Sequence, residues 1–349
     1  MFRDESEVRI IERDRPSPAD GEVLVRTLAV GIDGTDRRVA AGEIGGDPPD
    51  GEDHLVIGHE AVGVIEDAND TELEAGTVVA PLVRQPKADT RFAENGELDM
   101  APPDTFQERG IFGAHGYLAE YFTADPESLV TVPEPRSEYG FFIEPASISE
   151  KALDQAFAAR SAFSWDPEAA CVLGNGNLGL LALARLTTGD EFDRTYCLGR
   201  RDRPDPTIEF IESVGAMYID ARETDLSDIP PDYEPMDFTF ESTGYPRHAI
   251  GAATTLGPNG VATLQGVPSS DRYDVDLGDY HSDMVVNNKA VLGVVNSRRS
   301  HFETANEWIS DIDESVLDEL VTGVYDLDEI DAALEDTDET IKSVVSFTR

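Results

Sequence analysis

The segment Gly58-His59-Glu60-Ala61-Val62-Gly63, with Asp33-Gly34-Thr35-Asp36 upstream and Ile143-Glu144-Pro145 downstream, offers nitrogen and oxygen donors from three separate stretches of chain. A catalytic zinc takes three protein ligands and keeps a fourth position for water or substrate. Asp33, His59 and Glu144 would meet that need, with Glu60 as a fourth ligand or as a carboxylate beside the ligands. Spacing alone does not bring residues 33, 59 and 144 together, and a core histidine beside surface acids reads the same residues. A second constellation is local. Cys171-Val172-Leu173-Gly174-Asn175-Gly176-Asn177-Leu178-Gly179 places G-x-G-x-x-G between an expected strand and an expected helix. There Gly174 makes the tight turn, Gly176 lets backbone approach a pyrophosphate, and Gly179 lets helix and strand pack closely. The first amides of the helix then receive the phosphates.

An NAD site would show an acid at the end of the next strand, about 20 residues on. Here Thr195–Leu198 runs into Gly199-Arg200-Arg201-Asp202-Arg203-Pro204. Two adjacent guanidinium groups suit a 2′-phosphate. Cations are scarce in this chain, so three arginines in four residues favour NADP over a solvated basic loop. Asp202, further along, leaves NAD as a second choice.

The elements that must position these residues change character along the chain. Residues 22–30, 55–65 and 77–81 are apolar, β-branched and bounded by Gly, Pro or Asp, which reads as strands. Residues 84–109 are poor in apolar side chains and read as a long surface excursion, a lobe or lid. Short strands at 121–122 and 129–132 follow. From Glu144 helical spacing begins. Strands at 170–173, 196–198, 217–219, 237–241 and 261–267 then alternate with helices at 178–186, 208–214 and 246–256, the pattern of a doubly wound parallel sheet. After Asn296 mixed helices lead to a last strand at 343–347, and residues 326–339 read as a solvated acidic helical face.

Composition bounds the function. The 349 residues suit two domains. Asp and Glu number 71 against 27 Lys and Arg, a net charge of −44, which repels nucleic acid. Only Lys87, Lys151, Lys289 and Lys342 are lysines, so the excess acid reads as the surface of a folded protein in a cytoplasm of molar salt, where screening acts over a few ångströms. No apolar run approaches the ~20 residues that cross a bilayer, and the first residues lack the apolar stretch of an export signal. Cys171 and Cys197 are the only cysteines, which excludes both a disulfide framework and a four-cysteine zinc module. His54, His248, His281 and His301 read as surface or hydrogen-bonded residues, His115 as a turn residue, and Trp165 and Trp308 as core or domain-edge aromatics.

Taken in order, Gly58-His-Glu-x-x-Gly63, Gly76-Thr-Val-Val79, Ile-Glu144-Pro and the later G-x-G-x-x-G resemble the zinc-dependent medium-chain dehydrogenases. Within them, Gly31-Ile-Asp33-Gly-Thr35-Asp36, Glu108-Arg-Gly110-Ile, Ala114-His-Gly116-Tyr, Glu150-Lys-Ala152 and Gly293-Val-Val-Asn296-Ser resemble archaeal glucose 1-dehydrogenases, above all salt-adapted ones. The resemblance covers essentially the whole chain. It implies an α/β protein with a GroES-like, β-rich catalytic domain at 1–145, to which 297–349 return, and a Rossmann domain with a doubly wound parallel sheet at 146–296.

The resemblance assigns zinc ligands to Asp33, His59 and Glu144, with Glu60 the neighbouring carboxylate. Most of the superfamily carries cysteine at the place of Asp33, and a hard oxygen ligand there weakens zinc retention. Sugar contacts map onto Thr35, Glu108, Glu144 and Asn296. Cofactor contacts map onto Gly174, Gly176, Asn177, Leu178, Gly179, Arg200, Arg201, Gln265, Gly266, Val267 and Asn296. Catalytic roles fall to Thr35 and Glu60. The implied reaction is hydride transfer from C1 of D-glucose, or another aldose, to NADP, giving the lactone, in a cytoplasmic homo-oligomer, dimer or tetramer.

Three departures stand out. Asn287 replaces a histidine of close salt-adapted relatives, the structural-zinc cysteines are absent from residues 84–104, so that the lobe is expected to rest on packing alone, and the usual first strand is missing, as if the start were shortened. The rival readings are another sugar, polyol or alcohol dehydrogenase, a zinc-free reductase on the same fold, a non-catalytic NADPH-binding protein, and an acidic cation- or partner-binding module.

Overall fold

The computed structural model describes residues 8–134, 136–268 and 274–348. The chain divides into two compact units, one of residues 1–147 and 296–349 and the other of residues 148–295. Asn296, expected at the end of the inner domain, belongs to the first unit.

In the first unit the long strand Val23–Ile32 is the hub of a seven-stranded sheet. Its hydrophobic run is buried at both ends, and Val23, Val25, Val30 and Ile32 are fully enclosed. Glu60–Asp67 pairs antiparallel on one side and Lys342–Ser346 on the other. Val78–Pro81 and Leu129–Thr131 extend the sheet beyond Glu60–Asp67, Val321–Tyr325 extends it beyond Lys342–Ser346, and Tyr121–Ala124 pairs with the first half of the hub. Register matters for the site. Gly31 lies opposite Glu60, and Ile32 lies opposite Ser343, one residue from Lys342. A Cβ on Gly31 would come within 2.4 Å of the Glu60 carboxylate and 2.7 Å of Lys342 Cε, so a side chain here would have to displace the buried Glu60–Lys342 pair.

The stretch expected to be a strand from Leu55 forms one only from Glu60, and the backbone carbonyls of Val56, Ile57 and Gly58 accept instead from the amides of Gly116, Leu118 and Tyr117. The expected surface excursion is also corrected. Residues 84–109 hold the strands Arg84–Pro86 and Phe106–Arg109, which with Gly113–Ala114 make a small three-stranded sheet, and Arg84, Asp99 and Glu108 are buried.

The second unit carries a six-stranded parallel sheet in the order Met217–Asp220, Arg194–Gly199, Ala169–Leu173, Met236–Glu241, Leu256–Leu264, Ala290–Gly293. The chain reverses direction across the sheet at Ala169–Leu173, the topological switch point at whose carboxyl end doubly wound sheets bind ligands. Cys171, Val172 and Leu173 are fully buried, as a central parallel strand requires. The strand expected at 261–267 starts at Leu256 and stops at Leu264, leaving Gln265, Gly266 and Val267 as the turn after it. The final expected strand forms as Lys342–Ser346, and the acidic stretch at 326–339 is two short helical turns that bury Ile330 and Ala333. Among the described residues, no helix is long and apolar enough to cross a membrane.

Candidate functional site

Asp33 caps the helix Gly34–Ala40. Its Oδ1 accepts the Asp36 amide at 2.9 Å while the Asp36 carboxylate accepts the Asp33 amide at 3.2 Å, a reciprocal capping box. The cap leaves Asp33 Oδ2 facing His59 Nε2 at 3.8 Å. Asp36, fully buried, accepts from His59 Nδ1 at 3.2 Å and from the Gly58 amide at 3.1 Å. A carboxylate can only accept here, so the imidazole proton sits on Nδ1 and Nε2 is the nitrogen available to a cation. Thr35, two residues on, is the least of the groups that help hold the Asp33 carboxyl low.

Glu60 begins the strand beside Gly31, and its carboxylate is paired with the ammonium of the fully buried Lys342. Asp33, His59 and Glu60 each present a donor atom within 4.8 Å of the others. That trio is not the expected Asp33, His59 and Glu144. Glu144 stands at the start of the helix Ile143–Ala159, buried, and is felt electrostatically by His59, Glu60 and Asp33.

Electrostatics binds these groups into one unit. Burial pushes the Glu144 carboxyl up to about 8; the His59 charge opposes this, and Glu60 and Asp33 add to it. Burial likewise raises Glu60 against the pull of Lys342. Burial also acts to raise Asp33, but His59 and Lys342 outweigh it and hold that carboxyl below its usual range. Burial disfavours a charged His59, yet Asp36 and Asp33 raise its pKa well above the ordinary value. Four buried or half-buried carboxylates around one imidazole and one ammonium are short of positive charge, and buried charge demands partners. A divalent cation fits this donor set: an imidazole Nε2 whose proton it would displace, carboxylate oxygens around it, and a buried carboxylate on Asp36 fixing the imidazole from behind.

A second polar chain leads away from Glu144 in the same unit. Ser147 Oγ donates to the Glu144 carbonyl at 2.5 Å and meets Ser297 Oγ at 2.5 Å, while the Ser297 amide donates to Asn296 Oδ1 at 2.8 Å. Asn296, held at φ 55°, donates from Nδ2 to Glu108 Oε1 at 3.3 Å. Glu108 and Asn296, the two expected sugar contacts, are therefore brought together.

Among the described residues, one further trio, Glu52, His54 and His115, places donor atoms within 4.8 Å. It makes a poor metal centre. The Arg13 guanidinium sits among them, 3.1 Å from Glu52, 3.3 Å from His54 Nε2 and 2.7 Å from His115 Nε2, while His115 Nδ1 is taken by the Val56 amide, so a cation occupies the space a metal would need.

In the second unit the glycine loop has the form the sequence implies. Gly174 has φ 113°, and a Cβ there would crowd Thr243 Cγ2 at 2.8 Å. A Cβ on Gly179 would lie 2.0 Å from the Gly174 carbonyl, whereas Gly176 has nothing within 4 Å and faces open space. Helix Asn177–Thr188 starts at once, so Asn177, Leu178 and Gly179 supply its first amides to that space. This cradle fits a dinucleotide pyrophosphate. Gly266 packs so closely on Gly244 that a Cβ would lie 1.9 Å from the Gly244 amide, and Val267 beside it is exposed.

Arg200 is exposed and Arg201 half-buried after strand Arg194–Gly199. The Arg201 backbone is fixed by the Tyr218 hydroxyl, which accepts its amide at 2.9 Å and donates to its carbonyl at 3.0 Å. Arg222 pairs with Asp202 at 2.7 Å and Asp220 at 2.5 Å. Asp202, the acid that kept NAD in view, is thus engaged by a guanidinium.

Sequence reasoning gave no role to Asp36, Lys342, Arg84, Tyr218 or Arg222. Two had a signal: Asp36 stands three residues after the helix cap, and Lys342 is one of four lysines yet lies in an apolar strand.

Residues 19–134 match the model of the alcohol dehydrogenase GroES-like domain and residues 137–347 that of the glucose dehydrogenase C-terminus. Glucose 1-dehydrogenase 2 of Haloterrigena turkmenica is 66% identical over 100% of this chain and 99% of its own. Glucose 1-dehydrogenase of Haloferax mediterranei is 53% identical over 99% and 98%. The structure of Haloferax mediterranei glucose dehydrogenase in complex with NADP, Zn and gluconolactone superposes with a TM-score of 0.96 at 52% identity, covering 100% of this chain and 98% of that one.

Proposed function

The chain belongs to the glucose dehydrogenase family, with a GroES-like domain joined to a Rossmann-type sheet, and from that premise we propose that it is an NADP-dependent, zinc-assisted glucose 1-dehydrogenase that oxidises C1 of D-glucose to gluconolactone. The observation that carries the reading is the buried cluster in which Asp36 fixes His59 by Nδ1 and turns Nε2 towards Asp33. Relatives of full length and high identity bear the same name, and the Haloferax enzyme was captured with NADP, Zn and gluconolactone.

Asp33, His59 and Glu144 are the residues that would hold the zinc. When bound, the ion supplies Lewis acidity that lowers the pKa of the sugar's anomeric hydroxyl, and NADP supplies the hydride acceptor. The chain's own groups do the rest. Thr35, two residues from Asp33, starts the proton's path from the O1 hydroxyl to water. Glu60 is restrained by Lys342, which makes it a neighbouring carboxylate that tunes the charge of the cluster. Glu108 and Asn296 hydrogen-bond sugar hydroxyls, and a sugar lacking one leaves a buried polar group unpaired. The Gly174–Gly179 loop receives the pyrophosphate, Arg200 and Arg201 the 2′-phosphate, and the Gln265–Val267 turn the nicotinamide half. With Asp202 and Asp220 engaged by Arg222, NADP is preferred and NAD is a weaker substrate.

The protein works in a salt-rich cytoplasm as a homo-oligomer. Strand Ala290–Gly293 edges its sheet, and helix Leu277–Val286 beside it in sequence has no buried residue, with Val285 and Val286 exposed. Such an apolar edge suits a second copy.

The test follows NADPH appearance with D-glucose in concentrated KCl, before and after EDTA and after zinc is returned. Activity lost to the chelator and restored by zinc is expected. Cofactor binding without turnover by folded, zinc-replete protein would move the weight to another substrate or to a non-catalytic NADPH-binding protein.

A further inference from the structure

Strands Arg84–Pro86 and Phe106–Arg109 pair antiparallel with Arg84 directly opposite Glu108. Opposed residues project from the same face, and so does Phe106, two positions before Glu108. The Arg84 guanidinium lies 3.8 Å from the centre of the Phe106 ring and donates from Nε to Glu108 Oε1 at 2.8 Å. Its Nη1 donates to the carbonyls of Leu98 at 3.1 Å and Asp99 at 2.9 Å. Only 8% of Arg84 is exposed, so these bonds are made away from water, where they are stronger and where leaving one partner alone is costly.

The lobe therefore does not rest on packing alone. A single planar guanidinium ties the turn at 98–100 to the carboxylate that Asn296 also touches. Lysine has no fork to span Glu108 and two carbonyls at once.

We propose that Arg84 is a positioning residue for sugar recognition: it orients Glu108 towards the substrate hydroxyl and couples occupation of that site to order in the lobe of residues 87–105. The proposal rests on Glu108 being the sugar-hydroxyl acceptor, and the experiment separates the two ideas. KM for glucose, KM for NADP and kcat are measured in concentrated KCl for the wild type, E108Q, R84M, R84K and R84M/E108Q. Trypsin cleavage after the exposed Lys87 and Arg91 is followed with and without gluconolactone plus NADP.

The expected results are a KM for glucose raised at least about tenfold in R84M, with KM for NADP unchanged, and an intermediate rise in R84K. In the E108Q background the Arg84 change should add little, since the two act through one contact. Ligand should protect the lobe of the wild type from trypsin but not that of either Arg84 variant. If R84M fails to fold, R84K and its lost protection decide the matter. Unchanged glucose KM in R84K and R84M, or additive effects in the double variant, overturns the proposal for Arg84. An unchanged glucose KM in E108Q instead overturns the reading of Glu108.

Discussion

The two units handle charge in opposite ways. The cluster around His59 buries carboxylates and balances them with one internal lysine, in a chain whose surface is already strongly acidic. The dinucleotide cradle gathers scarce arginines at an open rim and presents backbone amides, with Asp202 and Asp220 paired to Arg222. The first arrangement is incomplete without a cation. The second presents an anion site at an exposed rim, with Arg200 in the open. Loss of a single charge should therefore cost folding at the His59 cluster and only affinity at the arginine rim of the cradle.

The largest break is expected from Lys342→Met, which leaves Glu60 buried and unpaired at about 3–5 kcal/mol of stability. The melting midpoint in concentrated KCl should fall sharply and recover in part in the Lys342→Met, Glu60→Gln pair. Equal midpoints for the single variant and the wild type would show that the ion pair is not what holds the cluster. Next in size is Arg200→Ala, which removes a charge-assisted contact worth about 1.5–3 kcal/mol. That corresponds to a loss of kcat/KM for NADP of about 10- to 100-fold with NADP, little change with NAD, and an unchanged melting midpoint. A parallel loss with both cofactors would assign Arg200 to folding.

The smallest effect concerns His248. Burial, with Arg247 and Arg200 nearby, lowers its pKa to about 4, below the ordinary 6.5. A histidine depressed in the folded state stabilises fully above pH 6.5 and loses that contribution as pH falls towards 4. The wild type should lose more stability than His248→Asn across that window. Parallel curves would show that the ring is free to charge.

The second unit was legible because its logic is local. G-x-G-x-x-G sits within nine residues of one strand and helix, and each glycine has a spatial reason visible in the sequence order. The first site depends on register between strands far apart in sequence. Nothing within residues 58–63 announces Lys342, which reaches Glu60 because Lys342–Ser346 and Glu60–Asp67 both flank Val23–Ile32. The lobe misled for the same reason: its polar composition looked like surface, but Arg84 and Glu108 are opposed across a ladder that composition does not reveal. Strand starts erred where distant backbone competes for the same carbonyls, as at 56–58, which bond to residues 116–118.

The central claim is that hydride leaves C1 of glucose for NADP. It is tested most directly with D-glucose deuterated at C1, turned over with NADP in concentrated KCl, by mass spectrometry of the reduced cofactor and the sugar product. The account predicts NADPH carrying the deuterium and gluconolactone free of it. Deuterium retained in the sugar while the cofactor is reduced would contradict it.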